Sequence, residues 1–343
     1  MIEKRLASLA RSPAFGRVLG ALEKLDRPRP NHLRVLTYHR VDDPQGFAAQ
    51  AAYLKRRFPV VSAAQALEAF EGRAALPPGA LLITFDDAYR NFAQAAWPIL
   101  KRHGLPATLF VPTAFPDHPE RVFWWDRLEQ ALERTPRREP LDTPAGRLPL
   151  DSPARRHAAG RSLKRYLSGL PPAETQALVE RLCAALLAGA PAADPDPQGA
   201  VLGWDELRRL AAEGVTLGAH TRTHPLMSQV SPEEAEAEAA GSLQDLRREL
   251  GAALPIFAYP GGRFSPAVVE GLRRAGFALA FTTIRGTNIL PQADPLRLRR
   301  VNLGRRSGLP ELRARLLHAS PLLNRFRPLE RSAARKALLA DVH

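Results

Sequence analysis

The sequence predicts an α/β fold in which short buried strands alternate with amphipathic helices around a parallel sheet or barrel. Two observations carry this. Apolar runs of strand length recur along the chain, and most are followed by a stretch with apolar residues every three or four positions. These are the periods of a buried strand and of a one-faced helix. Polar residues capable of chemistry follow several apolar runs directly, as in "LLITFDD" and "VTLGAH". In parallel α/β folds, sites collect at the C-terminal ends of strands.

Taken in order, Ile2, Leu6 and Leu9, then Phe15, Val18, Leu19, Leu22 and Leu25, recur at helical spacing with a break near Pro13. "DRPRPN" closes this basic N-terminal segment, residues 1–30, as a linker. Residues 31–305 hold the alternation. "LRVLTYH" is a strand, "AAQAAYLKRRF" a helix and "PVV" a short strand, and Ser62 caps the helix "AAQALEAFEG". "ALLITF" is a strand, "NFAQAAWPILKRHG" a helix and "ATLFVPT" a strand. From about 116 to 200 the pattern gives way to Pro-, Ala- and Arg-rich sequence with helical pieces, "DRLEQALER" and "AETQALVERLCAALL", read as an inserted helical region. "WDELRRLAAEG", "VTLGAH", a long helix starting at a Ser231–Glu234 capping box, "PIFAYP", "SPAVVEGLRRAG", "FALAFTT" and "LRLRRVNL" then resume it. This makes about seven or eight strand–helix units. Residues 306–343 read as a basic helical tail.

The net charge of +14 is concentrated at the ends. Residues 1–34 hold 8 Lys/Arg against 3 Asp/Glu, residues 296–343 hold 12 against 3, and the middle holds 29 of each. The body therefore needs no polyanionic partner, while the ends suit an anionic membrane surface. No nucleic-acid motif is present, so no nucleic-acid partner is expected. The one cysteine, Cys183, excludes an internal disulfide framework and a cysteine-rich zinc site. The N-terminal stretch lacks the apolar core of a signal peptide, and no run reaches the roughly 20 apolar residues of a membrane span. The expectation is a cytoplasmic protein, peripheral at the inner membrane face.

Four strand ends carry candidate chemistry: Asp86 and Asp87, His220 and His224, the Pro-Gly-Gly of "FAYPGG", and His39. A bare Asp pair is ordinarily a turn, and a lone His is ordinarily structural. An H-x-x-x-H pair places two imidazoles on one face if the segment turns helically. Two imidazoles and one carboxylate make a common open site for zinc or another transition metal. Such a metal acidifies water and polarises a carbonyl. Adjacent side chains at a strand end point in different directions, so one aspartate can bind metal while its neighbour takes a proton from the water.

In order, "TFDDAYRNF", "HTRTHP" and "AYPGGRF" resemble the polysaccharide deacetylases, the NodB-homology group of carbohydrate esterases, over about residues 33–115 and 200–303. The resemblance implies a distorted (β/α)7-type barrel, here with an inserted helical region and extra terminal helices. It implies Asp87, His220 and His224 as metal ligands, with zinc the default and cobalt, nickel or iron able to take the same donors. It implies Asp86 as general base and the backbone N–H of Gly261 as oxyanion donor, a group worth roughly 3–4 kcal/mol. Tyr259, Pro260 and Gly262 complete that motif as candidate sugar contacts. Two departures stand out. Ala258 occupies the place where many members carry an Arg that holds the base, a role Arg300 is expected to fill, and Gly261 stands where the family often has Tyr. His318 is a poor match for the family's late histidine. His39 resembles an early histidine of the branch acting on exported or membrane-associated polysaccharides and is the candidate general acid. Trp124 and Trp125 in "FWWD" are candidates for a sugar-facing wall, with core packing as the ordinary alternative.

The expected activity is hydrolytic removal of acetyl from N-acetylated sugars of a polysaccharide or lipid-linked glycan. O-acetyl ester hydrolysis would use the same site. A non-catalytic glycan- or membrane-surface-binding protein would have no need of the full set Asp86, Asp87, His220 and His224.

Overall fold

The computed structural model describes residues 13–118, 121–190 and 200–318. The expected helix around Ile2, Leu6 and Leu9, and the tail beyond 318, lie outside them. In chain order the elements are α1 (Pro13–Leu25), β1 (His32–Tyr38), α2 (Pro44–Arg57), β2 (Val60–Val61), α3 (Ala63–Phe70), β3 (Leu81–Phe85), α4 (Trp97–Arg102) and β4 (Thr108–Val111). There follow α5 (Trp124–Arg134), β5 (Leu141–Thr143), β6 (Gly146–Leu148), α6 (Pro153–Leu167) and α7 (Pro172–Leu187). Last come α8 (Trp204–Ala212), β7 (Thr216–Ala219), α9 (Pro232–Leu250), β8 (Ile256–Ala258), α10 (Pro266–Arg274), β9 (Leu279–Phe281), β10 (Asn288–Ile289), β11 (Val301–Asn302) and α11 (Leu309–His318).

Local chemistry sets the element ends. The Asp43 carboxylate accepts the Gly46 N–H at 2.9 Å with Pro44 in the first turn, so α2 begins before its apolar periodicity does. Ser62 and Gln65 form a reciprocal capping box on α3. Ser231 and Ser265 accept the N–H groups of Glu234 and Val268 to start α9 and α10. Two expectations need correction. The helix read over "NFAQAAWPILKRHG" is a π turn, Phe92–Ala96, running into α4. Pro98 has no N–H to continue the ladder, which shifts its register. The strand read over "LRLRRVNL" contracts to β11, because Pro295–Arg297 takes a tight turn capped by the Asp294 side chain.

The described chain divides into two compact units. One comprises residues 13–85, 95–108 and 281–318. Its centre is β1, parallel to β3 from Arg34↔Leu81 to Tyr38↔Phe85, with β10 and β11 pairing near its start and end. All five residues of β3 are fully buried. Helix α11 packs on α1 and α2, and Arg313 makes a two-pronged ion pair with Glu23 at 2.7 and 2.9 Å.

The other unit comprises residues 86–94 and 109–280, less those outside the description. Here β7 and β8 run parallel with Ala219 opposite Phe257, and α9 packs against β7 and α10. Helices α5, α6 and α7 with the β5–β6 hairpin enclose an apolar cluster of their own, including Leu128, Leu132, Leu163, Val179 and Leu186.

Candidate active site

The buried run of β3 delivers Asp86 and Asp87 at 3% and 4% exposure. Burying ionised carboxylates is costly unless opposite charge or hydrogen bonds compensate. Asp87 and Ala88 both take left-handed backbone, at φ 73° and 50°. The turn is held by an adjacent segment: Arg90 N–H donates to the Ala200 carbonyl at 2.8 Å, Leu202 N–H donates to Ala88 at 2.9 Å, and Tyr89 bridges Val201. Non-glycine residues in this region cost about 1–3 kcal/mol each and cluster at functional sites. Of the five described non-glycine residues at positive φ, four are Asp87, Ala88, Thr221 and His224.

The expectation that His220 and His224 meet across a helical turn is overturned. Thr221 at φ 64° and His224 at φ 62° break any helix, and the segment is a compact turn after β7. Thr221 Oγ1 accepts the His224 N–H at 3.0 Å. Glu238 on α9 accepts the N–H groups of Arg222 and Thr223 and the Thr223 hydroxyl, each at 2.8 Å. Glu238→Ala is therefore expected to lower stability by about 1–2 kcal/mol, read from the urea unfolding midpoint. Glu238→Gln, which keeps an acceptor, should lose less.

These turns bring three donors together. Asp87 Oδ1 lies 3.2 Å from the Nε2 atoms of both His220 and His224, and the donor atoms all lie within 4.8 Å of one another. Two donors each about 2.0–2.1 Å from one ion at a tetrahedral angle would sit roughly 3.3 Å apart, so the donor set and its spacing fit a divalent metal. Strand register supplies the outer support. With Ala219 opposite Phe257, His220 falls beside Ala258, and its Nδ1 lies 2.7 Å from the Ala258 carbonyl. That bond holds a proton on Nδ1 and leaves Nε2 facing Asp87, free to hydrogen-bond the carboxylate when protonated or to offer its lone pair to a metal ion when neutral.

Burial alone would lower the His220 pKa, but the Asp87 hydrogen bond and the charges of Asp86 and Asp87 outweigh it and raise it. For His224 burial prevails over the Asp87 hydrogen bond, and its pKa is lowered. Burial, then the charges of Asp87 and Asp126, push the Tyr89 phenol well above its ordinary value, so it stays a neutral hydrogen-bonding group.

Of the two tryptophans, Trp125 lies at the site and Trp124 does not. The Trp125 ring is 5.0 Å from the His224 ring, whereas Trp124 packs against the cluster of α5–α7. In the Pro-Gly-Gly motif, Tyr259 is fully buried with its ring against Phe257 and Phe264, and Pro260 is buried too. Gly261 is exposed and Gly262 half-buried, so of the motif's residues these two are open to solvent. Gly261 has φ 60°, and a Cβ on it would lie 2.9 Å from Leu226 Cδ2. A larger side chain here would be strained by the left-handed backbone, while the contact with the tip of the Leu226 side chain could be relieved by its rotation.

His39 and Arg300 belong to the other unit. His39 is half-buried just past β1. Arg300 is fully buried; its Nε donates to the Thr282 carbonyl at 2.8 Å and its Nη1 to Thr84 Oγ1 at 3.3 Å. Sequence reading missed Tyr89, Phe123 and Glu238, and it grouped Asp126 with Trp124 and Trp125 in the sugar-facing wall without its partner. Tyr89 and Asp126 were visible as polar residues inside the two motifs "FDDAY" and "FWWD", but their pairing across 37 positions leaves no local trace.

The sequence profile of the polysaccharide deacetylases matches residues 73–136 and 157–280, more than half of the chain. The chain belongs to the polysaccharide deacetylase family. As a member of that family it is a hydrolytic de-N-acetylase. Asp86, Asp87, His220, His224 and Gly261 of this deacetylase fall inside the matched ranges, while His39 and Arg300 fall outside them. No curated protein sequence matches it. Among solved structures it is similar to the Streptococcus pyogenes deacetylase PplD in complex with acetate, at 17% identity over 85% of this chain and 99% of that one, with a TM-score of 0.56. The de-N-acetylase from Aggregatibacter actinomycetemcomitans matches at 15% identity, 83% and 99% coverage and a TM-score of 0.54. IcaB from Ammonifex degensii matches at 20% identity, 85% and 98% coverage and a TM-score of 0.52. At these identities the likeness speaks to fold, and it bears out the expected NodB-type α/β class.

Proposed function

We propose that this deacetylase is metal-dependent and removes acetyl from N-acetylated sugars of a polysaccharide or lipid-linked glycan. The observation that carries this is the convergence of the buried Asp87 and His220 with the half-buried His224, with a second buried carboxylate, Asp86, next in the chain. A divalent ion held by the three, zinc by default, supplies a Lewis acid that acidifies water and polarises the amide carbonyl. Asp86 takes the proton of the attacking water at its carboxylate. The Gly261 N–H donates to the amide oxygen as charge builds on it. His39 takes the role the family resemblance implies, protonating the leaving amine, and Arg300, by its position just before β11, is the candidate for the part of the family's arginine. Acetate and a free amine leave, and one water is consumed.

The basic ends and the glycan substrate class support action at an anionic membrane face on the cytoplasmic side. Among the described residues no helix is long and apolar enough to cross a membrane.

The deciding experiment is metal analysis of the purified chain together with acetate release from matched N-acetyl and O-acetyl glycans. Bound metal and release from the N-acetyl series are expected. Release from the O-acetyl series alone would make the protein an esterase, and no release from either would leave a binding protein. His39→Ala should slow amine release, and an unchanged rate would remove it from the mechanism.

A further inference from the structure

His224 lacks the device that orients His220. Among the described residues no other residue hydrogen-bonds its buried Nδ1, on a backbone at φ 62°. Histidines that ligate metals are ordinarily oriented through their second ring nitrogen. The neighbours of the His224 ring are aromatic instead. Trp125 lies 5.0 Å away at 57°, and Phe123 lies 5.3 Å away at 62°. Those two rings stack on each other at 4.5 Å and 8°, and Phe115 backs Phe123 at 4.5 Å. The edge of this plate is fixed by polar bonds. Trp125 Nε1 donates to the Tyr89 hydroxyl at 2.9 Å, and that hydroxyl donates to Asp126 Oδ2 at 2.5 Å. Tyr89 and Asp126 are 2% and 5% exposed, so these bonds are shielded from water.

We propose that the Phe123–Trp125 plate, locked by Tyr89 and Asp126, is the positioning device that aims the His224 imidazole at a divalent cation. It stands in for the hydrogen bond that aims His220. Stacked aromatic contacts resist ring rotation through shape and dispersion, so a fixed plate limits the imidazole to a narrow range of orientations. The same bonds reach the second ligand, because Tyr89 follows Asp87 by two residues. A disturbance of the plate therefore moves a ligand at each end. Trp125 and Asp126 lie in the first turn of α5, which makes cation affinity depend on the helical insertion. The inference rests on reading Asp87, His220 and His224 as a metal site.

The test is titration of the chelator-stripped full chain with Co2+, followed by visible absorption. Trp125→Leu is expected to weaken Co2+ binding about tenfold or more and to alter the absorption bands, while Trp125→Phe stays within about threefold of wild type. Tyr89→Phe keeps the ring contact with Phe123 at 5.5 Å but removes both polar bonds, and should fall between them. A folded Trp125→Leu protein with wild-type affinity and spectrum overturns the proposal. If that variant does not fold by circular dichroism, wild-type Co2+ affinity in Tyr89→Phe overturns it. Failure of the underlying reading looks different: the wild-type chain would then bind Co2+ no better than Asp87→Ala.

Discussion

Asp87→Ala is expected to strip the protein of bound metal and to lower the rate of acetate release on the order of a thousandfold. The carboxylate supplies one of the three donors that converge among the described residues, and its Oδ1 faces both imidazole Nε2 atoms at 3.2 Å. It is also the sole anion among them, so its removal leaves two neutral rings to hold a dication. Its loss further removes the hydrogen bond and charge that raise the His220 pKa against burial. Asp87→Asn is the companion variant. Asn tolerates the left-handed backbone at φ 73°, so metal loss there reports missing charge rather than a disturbed turn. Metal content by mass spectrometry and acetate by enzymatic assay are the measurements. Full metal occupancy in Asp87→Ala would remove it from the ligand set.

Asp86→Asn is expected to separate binding from turnover. Metal content should match wild type while kcat falls by about 10²–10⁴. The carboxamide keeps the shape of the side chain at a position only 3% exposed, but it cannot accept the proton of the attacking water. Asp87, the adjacent carboxylate, faces the two imidazoles instead. A near-normal kcat in this variant would show that some other group is the base. Lost metal would show instead that Asp86 helps to hold the ion.

Much of the fold was legible because its signals are local. Strand β3 is an unbroken apolar run, and α3 and α9 begin where Ser62 and Ser231 cap them. Helix α6 was harder to see. Its sequence "PARRHAAGRSLKRYL" is mostly cationic and small, and only Ala159, Leu163 and Leu167 mark the buried line. The β5–β6 hairpin is three residues a side, too short for an alternation to register. At the site, the histidine pair could be read from spacing and the choice of Asp87 over Asp86 came from the family resemblance, but the way the donors meet could not be read at all. A four-residue interval suggests a helix, and nothing in "HTRTH" announces that Thr221 and His224 adopt left-handed backbone, or that Glu238 on a distant helix holds the turn. Trp124 and Trp125 are equivalent on paper. Only the start of α5 at Trp124 decides that one faces the helical cluster and the other faces His224.

The separate apolar cluster of α5–α7 has a consequence for how the protein opens. Segments with their own core exchange their amide hydrogens as cooperative units, with an opening free energy below that of the whole molecule. Trp125 sits at the edge of this unit, in the first turn of α5. If its opening carries the indole away from His224, the closed form binds the ion more tightly, and by linkage the ion must slow the opening. Adding Co2+ should then protect the amides of α5 from exchange although no residue of that helix is among the three donors.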